Sequence, residues 1–120
     1  MSDDAFSVSL HQVETGVVLA VRGDLDAYTS PQLLEKIGGI SLVRGQVLVV
    51  DLSGTRFCDS SGISAFVAAR NLAATAHAGI VLAAVPRQIL RVLGMVGLDS
   101  LFTISPSVQD ALSAHRAGSG

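Results

Sequence analysis

The chain reads as an α/β domain of about five strands and four helices, and three features predict it. Two apolar runs, 47–52 and 80–85, have the length and β-branched content of strands covered on both faces. Between such runs lie stretches with apolar residues at helical spacing. Each of the three prolines stands at the start of one of those stretches, and glycines stand near their ends.

Taken in order, Phe6-Ser7-Val8-Ser9-Leu10 alternates apolar and polar as a half-buried strand does. Glu14-Thr15-Gly16 marks a turn, and Val17–Val21 reads as a second, more buried strand, giving a hairpin whose loop is longer than the tightest types. Ser30-Pro31 precedes Leu33, Leu34 and Ile37, a first helix that Gly38-Gly39 ends. The run 47–52 follows, then a helix carrying Ile63, Phe66, Val67 and Arg70 that stops before Gly79. Next come the run 80–85 and a third helix, with Pro86 before Ile89, Leu90 and Leu93 and a stop at Gly94 or Gly97. Leu101–Ile104 is a last short strand, and Ser105-Pro106 opens a helix with Val108, Ala111 and Leu112. Proline at the first helical position loses no hydrogen bond, and a preceding serine can cap. Alternating strands and helices imply crossover connections, with the 47–52 strand near the middle of the sheet. The expected domain spans residues 1–116, followed by a disordered tail, 117–120.

Composition narrows the function classes. At 120 residues the chain can bury a core without disulfides or a structural metal. A net charge of −2, with the one lysine, Lys36, standing alone, argues against a nucleic-acid partner. No apolar run reaches the roughly 18 residues of a membrane span, so no membrane insertion is expected. The acidic start Met1-Ser2-Asp3-Asp4 lacks the apolar region of a secretory signal, and the expected location is the cytoplasm. His11, His77 and His115 are far apart, and the single cysteine, Cys58, belongs to no metal-binding spacing. No cofactor is expected, since no glycine loop of the phosphate-cradling kind occurs.

The chemistry concentrates in Phe57-Cys58-Asp59-Ser60-Ser61-Gly62-Ile63, where a buried strand hands over to a helix. Helix N-termini carry unpaired N–H groups, so serine and aspartate there serve as caps worth about 1 kcal/mol. Two serines and an aspartate exceed the needs of one cap, which leaves a hydroxyl available for modification. A nucleophilic serine would need a nearby base and oxyanion donors, and there is no G-x-S-x-G elbow. Asp51-Leu52-Ser53-Gly54-Thr55 resembles the opening motif of haloacid-dehalogenase-type phosphohydrolases. It lacks their second carboxylate, which Ser53 replaces, and their downstream lysine, so Asp51 is read as ending a strand and ordering a turn. Asp24 and Asp26 supply too few oxygens for Ca²⁺ and form an acidic rim loop suited to contacting a partner. Cys58 reads as a small packing residue.

Three segments together resemble the STAS-domain anti-sigma factor antagonists. They are Gly23-Asp24-Leu25-Asp26 with Tyr28-Thr29-Ser30-Pro31; the strand Val49–Ser53 leading into Asp59-Ser60-Ser61-Gly62; and Leu93-Gly94-Met95-Val96-Gly97-Leu98. The resemblance implies a single domain with a mixed sheet and packed helices. It also implies a binding protein rather than an enzyme: the unphosphorylated form binds an anti-sigma factor that is also a serine kinase, freeing a sigma factor. Phosphorylation at Ser60, with Ser61 the second choice, breaks that complex, and a serine phosphatase resets it. Asp24, Asp26, Asp59, Ser60, Ser61 and Gly62 are the partner-binding residues so implied. Cys58 stands where the family commonly has an apolar residue, which leaves it a candidate redox input. The alternative use of the same fold is a stand-alone subunit docking on a transporter or another signalling complex without a phospho-switch.

Overall fold

The computed structural model of the protein describes residues 5–118. A five-stranded mixed sheet and four helices follow one another in the expected order. The elements are β1 (Ser7–Val13), β2 (Gly16–Leu25), α1 (Ser30–Gly38), β3 (Val47–Cys58), α2 (Ser60–Thr75), β4 (Gly79–Ala83), α3 (Arg87–Met95), β5 (Thr103–Ser105) and α4 (Val108–Gly118). A single 3₁₀ turn, Asp99–Leu101, precedes β5.

Strand order in space equals strand order in sequence, which puts β3 in the middle. Only β1 runs antiparallel to its neighbour; β2, β3, β4 and β5 are parallel. Side-chain alternation along β2 and β3 then separates two cores. Leu19, Val21, Leu48, Val50 and Leu52 face α1, α2 and α3, where they meet Leu33, Ile37, Ile63, Phe66, Ile89 and Leu93. Val18, Val47, Val49, Val81 and Ala83 face the other way, onto Ala111, Val108 and Leu112 of α4. Three helices thus cover one face and one helix the other. His115 Nε2 lies 2.8 Å from the Gly45 carbonyl oxygen and ties α4 to the turn before β3.

Several boundaries differ from the sequence reading. The hairpin loop is short: Val13 pairs with Gly16, leaving only Glu14 and Thr15 between the strands. His11 and Gln12 continue β1 because an edge strand needs backbone partners, not apolar side chains. A Cβ at Gly16 would collide with the Val47 backbone, so glycine lets the start of β3 approach the turn. Both β2 and β3 run further than their apolar runs, to Leu25 and Cys58, absorbing two register shifts. Asp51 therefore does not end its strand. It sits beside the first of those shifts and accepts the Ser53 N–H at 3.0 Å. Thr55, expected in a turn, is buried in β3 and its hydroxyl donates to the Val21 carbonyl at 2.8 Å. β4 stops at Ala83, short of the expected 85. α4 continues to Gly118, past the expected boundary at 116; residues 119 and 120 of the expected tail lie outside the described residues.

The proline rule holds less uniformly than the sequence suggests. Pro31 is in the first turn of α1, but Pro86 is the N-cap residue of α3 and Pro106 lies outside α4 altogether. Ser107, not Ser105, caps α4 by accepting the Asp110 N–H at 3.0 Å. Ser30 does not cap α1 either. It is the first helical residue, only 4% exposed, and its hydroxyl finds no hydrogen-bond partner among the described residues. A buried hydroxyl left unpaired costs about 1–3 kcal/mol of desolvation. Ser30→Ala is therefore expected to raise stability by about 1 kcal/mol, measured by urea denaturation, whereas a capping role would give a loss of similar size.

Candidate functional site

Because β2 to β5 are parallel, their carboxyl ends share one edge of the sheet, and the N-termini of all four helices start from it. In open α/β sheets ligands bind outside the carboxyl ends of the strands, which makes this edge the candidate site. The sequence-predicted residues all fall there: Asp24 and Asp26 at the end of β2, Cys58 and Asp59 at the end of β3, and Ser60, Ser61 and Gly62 in the first turn of α2.

Asp59 organises this corner. Its backbone is extended (φ −103°, ψ −168°), and its N–H donates to the Leu25 carbonyl at 3.1 Å, carrying the β2–β3 ladder one residue further. Its carboxylate oxygen Oδ1 accepts the N–H groups of Ser61 at 2.8 Å and Gly62 at 3.4 Å. One side chain thus satisfies two of the donors that begin α2. The cap needs neither serine hydroxyl. Ser60 is exposed and Ser61 half-buried. The Ser60 carbonyl accepts the Ser64 hydroxyl at 3.1 Å, within the ordinary first-turn pattern.

Gly62 offers no surface to a partner: it is buried, and its part is to let α2 come close to the sheet. A Cβ there would lie 2.5 Å from Cys58 Sγ and 2.7 Å from Leu25 Cδ2. Cys58 is buried beneath the same helix, and its thiol is pushed up to about 12 by burial, with the adjacent Asp59 carboxylate adding to the shift. A redox-sensing thiol needs exposure and a lowered pKa. Cys58 has the opposite of both, so the structure supports packing and not a redox input.

On β2, Asp24 pairs with the Arg56 guanidinium at 3.4 Å, both side chains being about half exposed. Such a pair contributes at most about 1 kcal/mol to stability but fixes the direction of two charges at the rim. Asp26 is used differently. Its Oδ1 accepts the backbone N–H of Tyr28 at 2.9 Å and of Thr29 at 3.1 Å. Thr29 in turn donates from Oγ1 to the Asp24 carbonyl at 2.8 Å and accepts the Asp26 N–H at 2.9 Å. The acidic loop is therefore a closed knot of four hydrogen bonds, and at its tip Tyr28 is 90% exposed. Sequence reasoning missed Tyr28, Arg56 and Phe57, which is 50% exposed and pairs in register with Asp24. The spacing Asp26-x-x-Thr29 was the available signal for the knot, since Asp and Thr at that separation bond each other's backbone in turns.

Among the described residues no group of His, Cys, Asp and Glu is placed to hold a metal ion, and no helix is long and apolar enough to cross a membrane.

Comparison with known proteins agrees with this fold. The family model of the STAS domain matches residues 7–111. The chain belongs to the STAS domain family. It is 29% identical over 117 residues to the anti-sigma-F factor antagonist RsfB of Mycobacterium tuberculosis, covering 96% of this chain and 93% of that one. To the anti-sigma-B factor antagonist of Listeria monocytogenes it is 26% identical over 112 residues, 92% of this chain and 97% of the other. Among solved structures, an anti-sigma factor antagonist from Mycobacterium paratuberculosis superposes with a TM-score of 0.76 at 27% identity, covering 96% and 97% of the two chains.

Burial of the Cys58 thiol has a pH consequence with a definite sign. In the unfolded chain the thiol ionises near 9, and in the folded chain only near 12. Above pH 9 the unfolded state sheds this proton first, so Cys58 lowers stability by up to about 1.4 kcal/mol per pH unit as pH rises towards 12. Urea titrations at pH 8 and pH 10 should show this loss in the parent and a smaller one in Cys58→Ala. In the native state the thiol is expected to resist iodoacetamide at pH 8 and to react on unfolding.

Proposed function

We propose that the protein is an anti-sigma factor antagonist. Its unphosphorylated form binds an anti-sigma factor, so that a sigma factor is released. Serine kinase activity in that partner phosphorylates Ser60 and ends the complex, and a serine phosphatase restores it. The protein acts in this cycle as binding partner and substrate, in the cytoplasm, and not as an enzyme. The observation that carries the reading is the division of labour at α2: Asp59 accepts the N–H groups of Ser61 and Gly62, leaving Ser60 exposed at the carboxyl-end edge of the sheet. The names of the similar proteins from Mycobacterium tuberculosis and Listeria monocytogenes support the general role.

The electrostatics suit a switch. A phosphate on Ser60 adds about −1.5 to −2 charges next to the Asp59 carboxylate. The same group sits at the positive end of the α2 dipole, so the isolated fold tolerates it. Against a partner surface shaped around a neutral hydroxyl, the added charge is repelled or left unpaired. A hundredfold loss of affinity requires about 2.7 kcal/mol, within reach of one phosphate.

Two baits test this. Ser60→Ala and Ser60→Asp proteins are applied in parallel to host cytosol, and the captured anti-sigma factor is then purified and titrated against each. The expected result is binding by Ser60→Ala and at least about 100-fold weaker binding by Ser60→Asp, with melting temperatures of the two alike to within a few degrees. Equal binding by both would reduce Ser60 to a helix residue and favour the docking-subunit use of the fold.

A further inference from the structure

The chain has five aromatic residues, four Phe and one Tyr. Phe66 and Phe102 are buried, and Phe6 packs against the main core. The remaining two, Tyr28 and Phe57, are exposed, and both stand at the sheet edge from which Ser60 projects. We infer that Tyr28 is the anchor by which the protein engages its partner, and that Asp26 contributes to binding by positioning this tyrosine rather than by contacting the partner with its charge. This rests on the proposed function and specifies how that surface works.

The geometry of the loop makes the case. Tyr28 has almost no contact with its own protein, being 90% exposed, yet the backbone that carries it is held by four side-chain hydrogen bonds. The loop is closed behind it as well: the Ser30 N–H donates to the Asp26 carbonyl at 2.8 Å, and Pro31 fixes the first turn of α1. A rigid, amphipathic ring with two side-chain torsions loses little entropy on binding, which is why tyrosine is a common hot-spot residue. The carboxylate of Asp26, by contrast, is engaged within its own loop, its Oδ1 accepting from Tyr28 N and Thr29 N. Phe57, in register with Asp24 on the neighbouring strand, adds a second exposed aromatic ring at the same edge of the sheet. The partner chemistry implied is a folded protein with an apolar pocket for one aromatic ring, placed so that its surface also meets the Ser60 hydroxyl.

The test separates charge from position. Asparagine keeps the Oδ1 acceptor of Asp26 and loses only the charge; alanine loses both. The variants Tyr28→Ala, Tyr28→Phe, Asp26→Asn and Asp26→Ala are made in the Ser60→Ala background and titrated by calorimetry with the purified anti-sigma factor. Expected are at least tenfold weaker binding for Tyr28→Ala and Asp26→Ala, and binding within threefold of the parent for Tyr28→Phe and Asp26→Asn. Melting temperature should not move in Tyr28→Ala, because its side chain supports nothing in its own fold. Amide exchange of the Tyr28 and Thr29 N–H groups should accelerate in Asp26→Ala and not in Asp26→Asn. Tyr28→Ala binding within twofold of the parent overturns the anchor, and Asp26→Asn as weak as Asp26→Ala overturns the positioning role. If the Ser60→Ala parent itself binds no anti-sigma factor, the proposed function fails first, a result distinct from either.

Discussion

Asp59 joins two structural systems with one residue. Its N–H extends the β2–β3 ladder to Leu25, and its carboxylate closes the first turn of α2. The start of the helix is thereby tied to the central strand by hydrogen bonds as well as by side-chain packing. Gly62 then sits directly over Leu25 and Cys58, with no space for a Cβ, and Ile63, Phe66 and Ala69 continue the contact inward. An N-cap of this kind contributes about 1 kcal/mol, a small share of total stability. Its importance is geometric: it decides which groups of the first turn face the protein and which face outward.

The consequence for function follows from the parallel sheet. A parallel strand ends where its following helix begins, so every helix N-terminus in this fold is delivered to the same edge. Helix N-termini favour added negative charge. A hydroxyl exposed at such a place can receive a phosphate without disturbing the core beneath it, because the core contacts are made by Gly62, Ile63 and Phe66 and not by Ser60. Rigidity comes from both sides of the edge: the cap on α2 and the knotted loop of Asp26 and Thr29 before α1. A surface built this way can take up a change of charge with little effect on its own fold.

Much of this was legible in the sequence because the relevant signals are local. The runs 47–52 and 80–85 announce buried strands by composition alone, and Asp59-Ser60-Ser61 announces a capped helix start by residue type. What escaped depended on partners distant in sequence. The continuation of β3 through Ser53, Gly54 and Thr55 uses residues that usually mark turns. It is held by Thr55 bonding Val21 and by the approach of Arg22, whose Cγ would lie 2.9 Å from a Cβ at Gly54. The roles of the serines around the prolines were misplaced by one or two residues for a similar reason: Ser30 is drawn into the core, while Ser107 is left at the open end of α4. Asp26 looked like a surface charge, and only the loop's three-dimensional closure shows its Oδ1 engaged by the loop's own N–H groups.

The central claim is that the Asp59 cap leaves one hydroxyl, that of Ser60, presented for modification, while Ser61 is held half-buried behind it. Incubating the protein with its purified anti-sigma factor and ATP, followed by mass-spectrometric mapping of the phosphate, addresses this most directly. A single phosphate on Ser60, absent from Ser60→Ala and unaffected by Ser61→Ala, is the predicted result. A phosphate on Ser61 in the unaltered protein, or none on either serine while the complex forms normally, would contradict the account.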